Sequence, residues 1–330
     1  MRTRVILNPA AAGGVRGAEL RRHLADVPGG AELRAGEGPG ASRRLAREAS
    51  REGFDRVVAA GGDGTVHEVA TGLLETGFPG AMGILPIGTG NDLARSLGVS
   101  MVLPAALELL RTGQALPVDA ISLGPAGGGA DPPFAWNAVV AGFCGRISDR
   151  MTPAMKRRWG TLAYLRAALG ELRDLRPHDV TLDLDGERLD LELLMLVVAN
   201  GRFAGGRIPL APGAKPDDGW IDVVAVRKLA RVRLAGLAPA VLAGRHLASP
   251  HIVHRRVRRV EVEAGPGFWI NVDGEIWREG SARLAVRPAA LSFLRPGPGG
   301  AGSGNPSPVP PCPNGRTRGR ASRRGRGARG

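Results

Sequence analysis

The chain has 330 residues, 43% of them hydrophobic, which is enough for two cores. Its two cysteines, Cys144 and Cys312, exclude a disulfide framework, and no apolar run approaches the ~18 residues of a spanning helix. The net charge is +14, but seven Arg and no acid lie in residues 296–330, leaving +7 on the rest.

Taken in chain order, the first part alternates short apolar runs with helical patterns. Residues 5–7 read as a strand, 17–25 as a helix, 32–34 as a weak strand and 41–52 as a helix. A buried strand over 56–60 leads into Gly61-Gly-Asp-Gly-Thr65 and then a helix through residue 74. A strand over 81–85 leads into Pro86-Ile-Gly-Thr-Gly-Asn-Asp92 and another helix. Repetition of strand, Gly-rich turn and helix predicts a parallel sheet covered by helices, with ligands at the carboxyl ends of the strands.

After residue 117 the pattern becomes β-rich. Residues 118–123, 134–143, 179–184, 188–199, 220–227, 252–264 and 268–277 read as strands, many of them alternating. Helices are expected over 153–175 and 229–245. The fold class is therefore an α/β N-terminal domain with a Rossmann-like parallel sheet over 1–117, to which 283–295 can return. An all-β sandwich follows over 118–295. The Gly-, Pro-, Ser- and Arg-rich stretch 296–330 is too poor in apolar residues to offset its ordering entropy, and disorder is expected there. The start, Met1-Arg-Thr-Arg-Val-Ile-Leu-Asn-Pro, turns polar too early for a signal peptide, so a cytoplasmic, reducing setting is expected.

Gly61-Gly-Asp-Gly-Thr65 carries the sharpest chemistry. Its glycines permit φ > 0 and let backbone N–H groups approach an anion, and the following helix points its positive end at the same place. Asp63 supplies a carboxylate for a nucleotide's Mg²⁺ or for a hydroxyl; the structural alternative is a tight turn with Asp63 as a cap. The second loop offers Gly88, Thr89, Gly90, Asn91, Asp92 and Arg95, with Asp92 open to an N-cap role. A third loop, Asn8-Pro-Ala-Ala-Ala-Gly-Gly14, is weak by itself. Only three lysines occur (Lys156, Lys215 and Lys228), none of them early, so a Walker-type lysine is excluded. Phosphates must be held by amides, hydroxyls, Arg and metal. The positive charge favours anionic partners, although an Arg, Ala and Gly bias also follows from genome composition.

These three loops, in this order and spacing, resemble the catalytic domain of the diacylglycerol kinase family, in its small soluble bacterial form. More distantly they resemble NAD kinases and phosphofructokinases. The resemblance runs from Arg4 to about Arg295. It includes Asn200-Gly-Arg-Phe-Ala-Gly-Gly206, Pro209-Leu-Ala-Pro-Gly-Ala-Lys-Pro-Asp-Asp-Gly-Trp-Ile-Asp222 and Asn271-Val-Asp-Gly-Glu275. It implies an ATP-dependent lipid kinase, with diacylglycerol leading over sphingosine, ceramide or NAD as acceptor. A non-catalytic lipid or nucleotide sensor is the alternative from another class.

Carried over residue by residue, the resemblance implies nucleotide binding by Asn8, Gly61, Gly62, Asp63, Gly64, Thr65, Glu68, Gly88, Thr89, Gly90, Asn91 and Asp92. It places Mg²⁺ on Asp218 and the carbonyls of Lys215 and Trp220, with Asp119 linked through water. A type I turn at the Asp-Asp-Gly segment and a solvated strand-start Asp119 are the structural alternatives. Asp273 and Glu275 become the candidate general bases. Asp185-Gly-Glu187 is the same tripeptide, at an ordinary hairpin, so the tripeptide alone is uninformative. Two departures from the family pattern bear on nucleotide affinity or choice: Gly36 stands where Thr is common, and Ala11 or Ala12 where Ser or Thr is usual. Lipid would be met at the membrane surface, where the basic helix over 153–175 is a candidate contact; packing on the core is its plainer role. No specific nucleic-acid partner is expected, and a homodimer is left open.

Overall fold

A computed structural model describes residues 1–11, 20, 22, 24, 30–125, 133–142 and 176–297. Both cysteines, the expected helix over 153–175, most of that over 17–25 and the chain beyond residue 297 lie outside the described residues.

Strands β1 (Thr3–Leu7), β2 (Ala31–Ala35), β3 (Arg56–Gly61) and β4 (Ala81–Pro86) pair in parallel in the order β4-β3-β1-β2. β1 and β4 are buried throughout, as strands of a sheet covered on both faces must be. Helices α1 (Ala41–Arg51), α2 (Asp63–Glu75), α3 (Asp92–Ser96) and α4 (Leu103–Thr112) follow in turn. In α2, Val66, Val69, Ala70, Leu73 and Leu74 form a buried stripe of helical period. From β1 the chain builds outward to β2 and then returns to the other side of β1 as β3. The order therefore reverses between β1 and β3, which opens a crevice at their carboxyl ends.

The rest is antiparallel apart from one pairing. It comprises β5 (Gln114–Pro125), β6 (Phe134–Ala135), β7 (Ala138–Gly142), β8 (His178–Leu184), β9 (Glu187–Ala199) and β10 (Ile221–Arg227). Helix α5 (Arg231–Leu242) precedes β11 (Ile252–Val257), β12 (Arg259–Ala264), β13 (Trp269–Val272), β14 (Glu275–Glu279) and β15 (Ala282–Arg295). The inner faces of β7, β9, β12, β13 and β15 enclose a second core around Phe268, Ile270, Leu196 and Leu284. β15 joins the two regions: residues 282–285 pair with β12, and Ser292 and Phe293 pair in parallel with β4. Leu291, Phe293 and Leu294 thereby enter the first core.

Three expected strands are each broken in two, for identifiable reasons. Residues 134–143 break at Trp136 and Asn137, whose amides turn to the Asp273 carboxylate. Residues 252–264 break at Arg258, whose amide turns to Asp185. Residues 268–277 break at Asp273-Gly274, both at positive φ (49° and 104°), a two-residue hairpin turn.

Candidate active site

The Gly-rich segments meet at the crevice. β3 ends at Gly61, and α2 begins at Asp63, so Asp63, Gly64 and Thr65 form the first helical turn rather than a loop. Positive φ is not what the glycines provide: Gly61, Gly62, Gly64, Gly88 and Gly90 are all absent from the positive-φ residues, and Asn91 alone takes that conformation here (φ 55°). They provide close approach instead. A Cβ on Gly88 would lie 2.3 Å from the Gly62 Cα, and one on Gly90 would lie 2.6 Å from Asp63 Oδ2. A Cβ on Gly64 would meet nothing within 4 Å, and the first amides of α2 lack intrahelical acceptors. Thr89 is exposed beside them. Asn8 ties the third segment in: its Nδ2 donates to Thr65 Oγ1 at 3.1 Å, and its Oδ1 accepts from Ala10 N at 3.0 Å. Asn91 Nδ2 donates to the carbonyls of Pro86 and Gly88, fixing the second segment.

The carboxylates of this region are spent largely on backbone amides. Asp63 Oδ1 accepts from Asp92 N (2.7 Å) and Leu93 N (3.3 Å), so it caps α3 as well as standing at the crevice. Asp92, buried, accepts from Gly206 N (2.8 Å) and Arg207 N (2.6 Å) across the two regions. Glu68 accepts from Gly40 N (2.9 Å) and Ser42 N (3.0 Å) and caps α1. Burial and then the charge of Asp92 push Asp63 up to about 6. Burial raises Asp92 as well, against the amides of Gly206 and Arg207 and the charge of Arg95. Two acids that disfavour each other's ionisation beside an open helix end suit a cation that arrives with an anion.

Across the crevice stands Asp273. Its Oδ1 accepts from Asn137 N (3.1 Å) and Ala138 N (2.9 Å), its Oδ2 from Trp136 N (2.7 Å), and Oδ2 also lies 2.9 Å from His67 Nδ1. Trp136, fully buried, donates its Nε1 to Thr71 Oγ1 at 3.2 Å. His67 and Thr71 are four residues apart on one face of α2, so that face clasps the β-rich region. Burial opposes a charge on His67, but the hydrogen bond and charge of Asp273, with the charge of Glu275, outweigh it and raise the imidazole's pKa. Glu275 is exposed.

The Asp-Asp-Gly segment lies apart from these groups in sequence and is held by Asp119. That acid is buried inside β5 rather than solvated at a strand start. It accepts from Gly219 N (2.7 Å) and Ala289 N (2.8 Å). Asp218 accepts from Trp220 N at 3.1 Å, and its other oxygen pairs with the Arg256 guanidinium, which also approaches Asp222 at 3.8 Å. Burial raises the Asp218 pKa in spite of Arg256. Among the described residues no three His, Cys, Asp or Glu side chains converge as a metal site. A guanidinium thus neutralises Asp218 between Lys215 and Trp220, and a resident Mg²⁺ does not fit there unless Arg256 is displaced.

Comparison with known proteins agrees with this architecture. Residues 2–123 match the diacylglycerol kinase catalytic domain, and residues 137–295 match the YegS C-terminal NAD kinase beta sandwich-like domain. A Pseudomonas fluorescens (strain Pf-5) relative named "Probable lipid kinase YegS-like" is 36% identical over 76% of this chain and 81% of its own length. A Bacillus subtilis (strain 168) diacylglycerol kinase is 31% identical over 83% of this chain and 89% of its own. The chain belongs to the diacylglycerol kinase family, YegS-like type. A crystal structure from Bacillus anthracis str. Sterne shares the fold with a TM-score of 0.76 at 21% identity, covering 90% of this chain and 95% of that one. Among the described residues no helix is long and apolar enough to cross a membrane.

Within this family member the sequence motifs led to Asp273 but not to His67. The available signal was spacing: His67 follows Asp63 by four residues, on the same helical face. Arg207 was also missed. It is an exposed residue at φ 85°; burial of Arg95, and then the charge of Arg207, lower the pKa of Arg95. Gly36, at the position of the common Thr, would bring a Cβ within 3.2 Å of Ser42 Oγ, so a larger residue there needs Ser42 to move.

Proposed function

We propose that the chain transfers the γ-phosphoryl group of MgATP to the hydroxyl of a membrane lipid, with diacylglycerol as acceptor and phosphatidic acid as product. The observation that carries this reading is the meeting of the α2 N-terminus, at Gly62–Thr65, with the Gly88–Asn91 segment, one turn from His67, which Asp273 of the β-rich region engages from the opposite side of the crevice. Phosphoryl transfer needs alignment and charge neutralisation more than covalent chemistry. The α2 amides and Arg95 would hold the phosphates, and Asp63 and Asp92 would face the Mg²⁺ that the nucleotide brings. The acceptor hydroxyl would enter from the side of Asp273 and Glu275, its chains directed to the β-rich region at a membrane surface. The names of the relatives support a lipid acceptor.

The test is radiolabelled ATP with purified protein and a panel of diacylglycerol, sphingosine, ceramide and NAD. Label in phosphatidic acid is the expected result. Label in NAD alone, or in none of the four, would overturn the reading.

A further inference from the structure

Between β9 and β10 the chain of the β-rich region reaches the crevice at Gly206-Arg207. Both amides donate to the Asp92 carboxylate, at 2.8 and 2.6 Å, and Asp92 Oδ2 lies 3.8 Å from the place a Gly90 Cβ would take. Residue 207 therefore stands against the second Gly-rich segment. Both donors hold positive φ, 80° at Gly206 and 85° at Arg207. Glycine takes that conformation freely, and a glycine at 207 would clasp Asp92 equally well, since only the N–H is used; an arginine is strained there. The Arg207 side chain is exposed, with no hydrogen bond or ion pair among the described residues. Across the crevice, Arg95 of α3 donates its Nε to Gly90 O at 3.3 Å and is likewise paired with no carboxylate there. Burial, and then the charge of Arg207, oppose the Arg95 cation. The charges of Asp92 and Asp63 favour it, yet those acids accept from backbone amides and from neither guanidinium. Arg43, Arg256 and Arg295, by contrast, each meet an acid directly.

We propose that Arg207 and Arg95 together form a seat for a phosphate group, and that its occupant is the γ-phosphoryl group of the bound nucleotide. This rests on the kinase reading above and adds to it a cation from the β-rich region. A guanidinium fork donates to two phosphate oxygens at once, so two forks on one phosphate supply the anion that each arginine lacks within the protein. Repulsion between the cations is then replaced by attraction of both to the phosphate. Because Arg207 sits on the segment that clasps α3, the seat draws the two sides of the crevice together while the γ-phosphoryl is present and releases them when ADP remains. The strain at residue 207 is explained by ligand binding, since the fold needs only the amide there. A lipid phosphate monoester carries the same terminal group, so the phosphorylated product is the second source of this chemistry.

The experiment measures calorimetric affinities of the full chain for MgAMP-PNP, MgADP and a short-chain phosphatidic acid, in wild type, Arg207→Gly and Arg207→Lys. Arg207→Gly should weaken MgAMP-PNP binding by roughly 10- to 100-fold, the effect of losing charge-assisted hydrogen bonds, and MgADP binding by less than about threefold. Arg207→Lys should recover part of the loss, because it keeps the charge without the fork. Without ligand, Arg207→Gly should melt no lower than wild type, since positive φ and the repulsion from Arg95 are both relieved, which separates lost binding from lost folding. A loss confined to phosphatidic acid would keep the two-arginine seat and assign its occupant to the lipid product. Unchanged affinity for all three ligands in Arg207→Gly, or equal weakening of MgADP and MgAMP-PNP, would overturn the seat and leave the kinase reading standing. A wild type that binds no MgAMP-PNP would sink both.

Discussion

The two Asp-Gly-Glu hairpins of this chain form a controlled comparison. Asp185-Gly186 and Asp273-Gly274 both occupy positive φ, and each glycine amide donates 2.8 Å to the side chain two residues before its Asp, Asp183 in one and Asn271 in the other. Each Asp carboxylate accepts amides at a break in a neighbouring strand: Arg258 and Arg259 for Asp185, Trp136, Asn137 and Ala138 for Asp273. The clasp is therefore scaffolding, common to both. Two things differ. Glu187 is paired with Arg255 at 3.1 Å while Glu275 is not so paired, and only Asp273 receives an imidazole from the α/β region. Chemistry resides in what reaches the hairpin, not in the tripeptide.

The largest test of that distinction is to delete both carboxylates in turn. Asp273→Ala should lower turnover by at least about 10²-fold, because the crevice loses a candidate general base and the acceptor that holds His67. It should also cost on the order of 2–4 kcal/mol of stability, since three amides with little access to water lose their partner. Asp185→Ala removes two amide contacts at an exposed turn and should cost about 1–2 kcal/mol in urea unfolding, with turnover unchanged. Equal losses of activity in the two variants would break the comparison.

The equivalence of the hairpins explains how much was legible beforehand. Strand and helix positions in the α/β region followed from apolar runs and a period of 3.6, and the resemblance made Asp273 a candidate general base. Broken strands were not legible, because an Asp beyond the strand diverts the amides of Trp136 or Arg258, and an alternating apolar pattern carries no mark of that. Nor could the sequence tell that Glu68 would cap α1, since a carboxylate within a helix reads alike whether it faces a ligand or a neighbour's amides. The His67–Asp273 contact is set by how α2 lies on the β-rich region, a tertiary fact with only the spacing from Asp63 as a local trace.

Asp63 extends the comparison to a third clasp, one that is electrostatically opposed. Its pKa is pushed up from 3.8 to about 6, chiefly by burial and then by Asp92, so the folded state binds this proton more tightly than the unfolded chain. The resulting stability is fully present below pH 3.8 and is lost as pH rises toward about 6. Asp63→Asn keeps an oxygen for the amides of Asp92 and Leu93 and removes the charge. At pH 7 the variant should be more stable than wild type by on the order of 1–3 kcal/mol, with the advantage vanishing near pH 4. Phosphate transfer should fall, because the acid proposed to face the nucleotide's metal is gone. A variant less stable than wild type at pH 7 would show that the clasp outweighs the repulsion.

The smallest expected effect concerns Asp218, where the partner of the carboxylate is a side-chain cation. Arg256 is half-exposed and stacks over Trp220 at 5.9 Å, so the pair should contribute no more than about 1 kcal/mol. If this guanidinium supplies the local positive charge, chelation of divalent ions from the apoprotein should leave the melting temperature within about 1 °C of its starting value. Arg256→Ala strips that charge from Asp218 and Asp222, and magnesium should then raise the melting temperature of the variant more than that of wild type. Strong destabilisation of wild type by chelation alone would mean that an ion displaces Arg256, and that this acid behaves unlike the amide-bound Asp185 and Asp273.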